Sequence, residues 1–110
     1  MSIEIEFKNS KFKRLCEDER KLTAQYGMQN ARKIVRRLNE IEAADSLGML
    51  VQYRIGRCHP LKGNRQGQFA LDVEQPLRLI IEPILECDDN WEDWPNIRKI
   101  RVVEVTDYHE

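Results

Sequence analysis

An α+β fold is predicted by three observations. The chain opens with alternating apolar and charged residues, continues through two stretches of apolar residues at helical spacing, and ends in short Val/Ile/Leu-rich runs separated by turn residues. The expected arrangement is an N-terminal strand and a helical hairpin packed on a mostly antiparallel sheet of about four to five strands. At 110 residues and 41% hydrophobic content, the chain has enough material for one core, so residues 1–110 are expected to form a single domain.

Ile3, Ile5 and Phe7 alternate with Glu4, Glu6 and Lys8, which is the period of a strand with one buried face. Asn9 or Ser10 can cap a following helix, whose apolar positions Phe12, Leu15, Cys16 and Leu22 share a face and which Gly27 is placed to stop. A second helix has a clearer stripe of Met28, Ala31, Ile34, Val35, Leu38 and Ile41, with Arg32, Lys33, Arg36, Arg37 and Glu40 on its remaining surface. The two helices are expected to run antiparallel. DSLGMLVQYRIG, residues 45–56, reads as a link into CHPLKGNRQGQFALDV, residues 58–73, where a glycine-bearing turn leads into a strand.

In that strand Phe69, Leu71 and Val73 alternate with Ala70 and Asp72. EQP, residues 74–76, is a turn, and LRLIIEP, residues 77–83, is nearly continuous in apolar character, as expected of a central strand covered on both faces. ECDDNWEDWPN, residues 86–96, reads as a solvated loop, with Trp91 and Trp94 either folded back over the core, the preferred reading, or forming a hydrophobic latch for a partner. IRKIRVVEVTDYH, residues 97–109, is the last strand and is expected near the sheet centre, beside the first.

The net charge of −1 conceals an asymmetry. Residues 1–82 hold 15 Lys+Arg against 11 Asp+Glu, residues 83–110 hold 3 against 8, and together these make the chain's 18 and 19. The body is basic and the end acidic; five of the acids (Glu86, Asp88, Asp89, Glu92 and Asp93) fall in residues 86–96. No stretch approaches the roughly 20 apolar residues of a membrane span, and the opening residues lack the apolar run and cleavage site of a secretory signal. A cytoplasmic location without membrane contact is therefore expected. Cys16, Cys58 and Cys87 are widely spaced, as expected of reduced thiols rather than a disulfide framework. Cys58, His59, Cys87 and His109 could supply four zinc ligands, but the spacing of paired zinc ligands is missing, and no metal or other cofactor is expected.

CHPLKGNRQGQFALDV, the arginine of PLRLIIEP and the terminal VTDYH, taken in order, resemble the RelE/ParE superfamily of bacterial toxins. The similarity is to the HigB-like branch, the plasmid maintenance killer proteins, and the element order agrees over nearly the whole chain. The resemblance implies a RelE-like fold and an endoribonuclease that enters the ribosome, cuts translated mRNA and is neutralised by a helix-turn-helix, HigA-like antitoxin. DNA is then contacted only indirectly, through the antitoxin complex. The resemblance further implies a catalytic set of His59 and Lys62 from HPLKG, Arg78 from the following strand, and Asp107, Tyr108 and His109 from DYH. The chain departs from these commonly basic toxins in its pI of about 6.2, a consequence of the acidic 86–96 stretch.

The residue types suit the chemistry. RNA is cut without a metal when its 2′-hydroxyl attacks the adjacent phosphorus, given a base for that proton, cations for the phosphate charge and an acid for the leaving 5′-oxygen. His59 and His109 are the chain's two histidines, and an imidazole exchanges protons near neutral pH. Lys62, Arg65 and Arg78 supply cations for RNA binding, Asp107 can orient an imidazole, and Tyr108 can donate a hydrogen bond or stack on a base. Gly63 and Gly67 let the backbone turn tightly. Taken singly, a histidine before proline is an ordinary turn residue and a terminal DYHE an ordinary chain end. Two other readings fit the same scaffold: a non-enzymatic toxin that binds DNA gyrase, as in the ParE branch, and an inactive member that only binds its antitoxin.

Overall fold

The computed structural model describes residues 2–86 and 91–107, with Trp91 described by its backbone alone. Four helices lie on one face of a five-stranded sheet. Strand β1 (Glu4–Phe7) leads to helix α1 (Ser10–Cys16), where the Asn9 side chain accepts from the backbone N–H of Lys11 at 2.8 Å and of Phe12 at 3.2 Å. Sequence periodicity predicts one helix before Gly27. The structure instead has a second helix, α2 (Glu19–Tyr26), because Asp18 caps it by accepting from the N–H groups of Arg20 and Lys21. Gly27 then separates α2 from α3 (Met28–Ala43) with a φ of +90°, a conformation that carries no Cβ penalty only at glycine. Helix α2 packs against α3 as the hairpin requires.

The expected link at residues 45–56 is in part a helix, α4 (Leu47–Gln52). Ser46 caps it through Met49 N–H, and Leu47 and Leu50 are fully buried in the core. Its glycine, Gly48, faces Pro95 so closely that an added Cβ would stand 2.6 Å from the Pro95 carbonyl oxygen. A helix of this length has little stability of its own and is held by that packing.

The sheet order is β1, β5 (Lys99–Asp107), β4 (Leu77–Pro83), β3 (Phe69–Asp72) and β2 (His59–Pro60). Strand β5 pairs parallel with β1 and antiparallel with β4, so the last strand lies beside the first and β4 is central, as the apolar patterns predict. Phe69, Leu71, Leu79, Ile81, Ile100 and Val102 form the sheet's share of the main core, against Leu22, Ala31, Ile34, Ile41, Leu47 and Leu50 from the helices. Trp94 tilts against Phe69 with ring centroids 5.0 Å apart, so this tryptophan does fold over the core. The opposite sheet face holds a smaller buried cluster of Leu61, Ala70, Ile80 and Val103, to which no helix among the described residues contributes. No helix among the described residues is long and apolar enough to cross a membrane.

Candidate nucleic-acid interface

Strand register determines which side chains share the helix-free face. Across the sheet, His59 is opposite Ala70, Ala70 opposite Ile80, and Ile80 opposite Glu104. The next row is Asp72, Arg78 and Thr106. Side chains opposite one another share a face, as do those two residues apart along a strand. His59, Asp72, Arg78 and Glu104 therefore stand together, on the side away from the helices. His59 and Arg78 are two strands and one row apart, about 10 Å across the sheet and about 7 Å along it.

The histidine sits on a two-residue edge strand rather than on the turn that its sequence suggests. Its Nδ1 lies 2.8 Å from the Arg57 carbonyl oxygen. A carbonyl only accepts, so Nδ1 carries the proton and Nε2 is the basic nitrogen of the neutral ring. Cys58, one residue earlier on the extended chain, points the other way and is buried in the main core. Burial pushes its thiol up to about 12. Cys58 and His59 thus face opposite sides of the sheet, so the two cannot both ligate one zinc ion; Cys87 and His109 lie outside the described residues. Among the described residues, no group of three His, Cys, Asp or Glu side chains is arranged to hold a metal ion.

Lys62 is exposed at the start of the Gly63–Arg65 turn, where Gly63 (φ +62°) and Gly67 (φ +96°) use the left-handed freedom their sequence positions suggest. Arg65 leans back over the sheet, with Nη1 donating to Gln68 Oε1 at 3.0 Å and standing 3.6 Å from Glu104 Oε2. Arg78 is only 21% exposed, with Nε 3.0 Å from Asp72 Oδ1 and Nη1 donating to the Leu77 carbonyl at 3.0 Å. Its fork is therefore partly engaged inside the protein, and the distal edge of the guanidinium is the side that Asp72 does not engage. Asp107 is opposite Leu77, and the alternation places it with Val105 on the helix side of the sheet, across from His59 and Arg78. Tyr108 and His109 lie outside the described residues.

Two residues not singled out by the sequence join this face. Asp72 holds Arg78 with one carboxylate oxygen and Arg57 with the other, Oδ2 lying 3.5 Å from Arg57 Nε. Its backbone carbonyl also accepts from Arg37 Nε at 2.7 Å. Arg57 has a φ of +57° and Arg54 a φ of +52°, left-handed conformations that cost a non-glycine residue about 1 kcal/mol each. Asp72 was legible only as an outward position in its strand, and its pairing with Arg78 depends on register across the EQP turn.

A comparison with protein-family models and with curated proteins finds no match for the chain.

Proposed function

We propose that this chain is the toxin of a type II toxin–antitoxin pair, of the HigB-like branch of the RelE/ParE superfamily, acting in the cytoplasm as an endoribonuclease on translated mRNA. The observation that carries the reading is that His59, Arg65 and Arg78 share one sheet face that no described helix covers, with the exposed Lys62 on the adjoining turn. His59 and Lys62 belong to the HPLKG motif and Arg78 to the following strand, and the chain has the expected α+β layout of helices over a mostly antiparallel sheet.

In this reading His59 Nε2 exchanges the proton at the reacting phosphate while the Arg57 carbonyl fixes the ring's tautomer. The RNA 2′-oxygen bonds to phosphorus, the bond to the 5′-oxygen breaks, and the products carry a 2′,3′-cyclic phosphate and a 5′-hydroxyl. Lys62, Arg65 and Arg78 bind the substrate backbone and the charge gathering on the phosphate. His109 supplies the second proton-transfer group, with Tyr108 and Asp107 beside it in sequence. The expected partners are the ribosome with its mRNA and a HigA-like helix-turn-helix antitoxin, through which DNA is reached indirectly.

The test is transcript 5′-end mapping in cells after brief induction of the native chain and of folded His59→Ala and His109→Ala variants. New ends confined to translated frames, and absent with the variants, are expected. Growth arrest without new ends overturns the nuclease reading in favour of gyrase binding, and the absence of arrest leaves only antitoxin binding.

A further inference from the structure

We infer that Arg57 is a second phosphate-binding residue of this face, and that Asp72 is the positioning residue that sets Arg57 and Arg78 around one RNA phosphodiester. The inference rests on the ribonuclease reading and extends its substrate contacts beyond the motif residues.

One carboxylate, itself only 17% exposed, meets two guanidinium groups through their Nε atoms, at 3.0 Å from Arg78 and 3.5 Å from Arg57. Each contact uses the inner edge of a guanidinium and leaves distal Nη hydrogens for another acceptor. The Arg57 side chain is 77% exposed and is ion-paired, among the described residues, only with Asp72.

Two neighbouring guanidiniums repel one another, and the shared carboxylate offsets this, leaving the trio with a net charge of +1. That is the complement of a single phosphodiester. A lone arginine on this face would be a flexible cation, whereas pairing with Asp72 biases the direction in which each guanidinium offers its remaining donors.

Backbone conformation is independent of both. Arg57 adopts a left-handed φ of +57° although it is not glycine, and its N–H is tied to the Arg54 carbonyl at 2.9 Å. The same conformation turns the Arg57 carbonyl onto His59 Nδ1. The strained residue thus joins the histidine's backbone acceptor to a guanidinium on Asp72, and strain of this kind is retained where the surrounding structure holds it in place. The exposed ion pair with Asp72 offsets little of that strain, and glycine would adopt the backbone without it.

This suggests a clean substitution. Arg57→Gly keeps the left-handed backbone, and with it the His59 contact, while removing only the guanidinium; Asp72→Asn keeps shape and removes the shared charge. The probe is a short single-stranded RNA, 2′-O-methylated at every position so that it is not cut, with binding followed by fluorescence anisotropy across a KCl series. Arg57→Gly is expected to weaken binding about equally for different sequences and to reduce the slope of log affinity against log salt by about 0.7, the value for one single-strand phosphate contact. Its melting temperature should equal or exceed that of the native chain. Arg57→Lys should restore most of the slope, and Asp72→Asn should weaken binding despite removing a negative charge from the face.

Unchanged affinity and slope in Arg57→Gly, with the native chain binding and cutting RNA, overturn the inference and leave the nuclease reading standing. Tighter binding by Asp72→Asn overturns the positioning role, since Asp72 would then only repel RNA. If the native chain binds no RNA and cuts none on the ribosome, both readings fall together.

Discussion

Burial pushes the Cys58 thiol from its ordinary 9.0 up to about 12, and burial aided by nearby Glu17 takes Cys16 to about 11. Both thiols hold their protons longer in the folded chain than in the unfolded one, so their contribution to stability is complete below pH 9 and is lost as pH rises toward those values. Each steepens alkaline unfolding by at most about 1.4 kcal/mol per pH unit. Urea unfolding between pH 8 and 11 should therefore show falling stability, with a shallower fall in Cys58→Ala; equal slopes would contradict the assignment. At pH 8 iodoacetamide should leave Cys58 unlabelled until the chain is unfolded, as read by mass spectrometry, whereas rapid native labelling would mean that the core opens there. The residue scale also shows what sequence can convey. His59, Lys62, Arg65 and Arg78 are legible because a short motif and a strand arginine announce them, whereas the left-handed Arg57 carries no glycine to signal its backbone, and Asp72 acquires meaning only through its cross-strand partner.

Between elements, the contact of α4 with the Trp91–Asn96 turn is the least visible in the sequence and the most exacting in the structure. SLGMLVQ offers a serine, a glycine and too few residues for a helical stripe, so it reads as a link. The helix exists because Ser46 caps it, Leu47 and Leu50 are buried, and Gly48 admits Pro95. An alanine there meets backbone rather than a yielding side chain. Gly48→Ala should cost about 1–3 kcal/mol in urea unfolding, the usual range for overpacking, and should disturb the Trp94–Phe69 contact enough to alter tryptophan emission. A neutral result would show that the 91–96 turn moves aside freely. The division of the first helix at Asp18 has the same kind of cause: a side chain that caps α2 interrupts a face whose apolar spacing reads as continuous. Strand order is more legible, since the apolar runs of β4 and β5 identify inner strands, and β4 is central with β5 between it and β1, although the described helices cover only one face of β4.

For the whole molecule, the charge asymmetry has a spatial counterpart. Glu86 pairs with Lys99 at 2.6 Å, at the end of the sheet where β5 begins and β4 finishes. Arg78 and Asp72 lie toward the other end of β4, some five residues or about 17 Å away. Glu86 and the 91–96 turn are thus separated from the cationic face, and the overall pI is a poor guide to the potential that an RNA strand would meet there. The central claim is that this face directs 2′-hydroxyl attack through His59, and product chemistry tests it most directly. Purified chain would be added to ribosomes translating an mRNA, and to the same mRNA carrying one 2′-O-methyl group at the mapped cut, with product ends identified by mass spectrometry. The account predicts a 2′,3′-cyclic phosphate and a 5′-hydroxyl with the native chain, and no cut with His59→Ala or at the methylated position. Cutting that persists at the methylated position or in folded His59→Ala would contradict it.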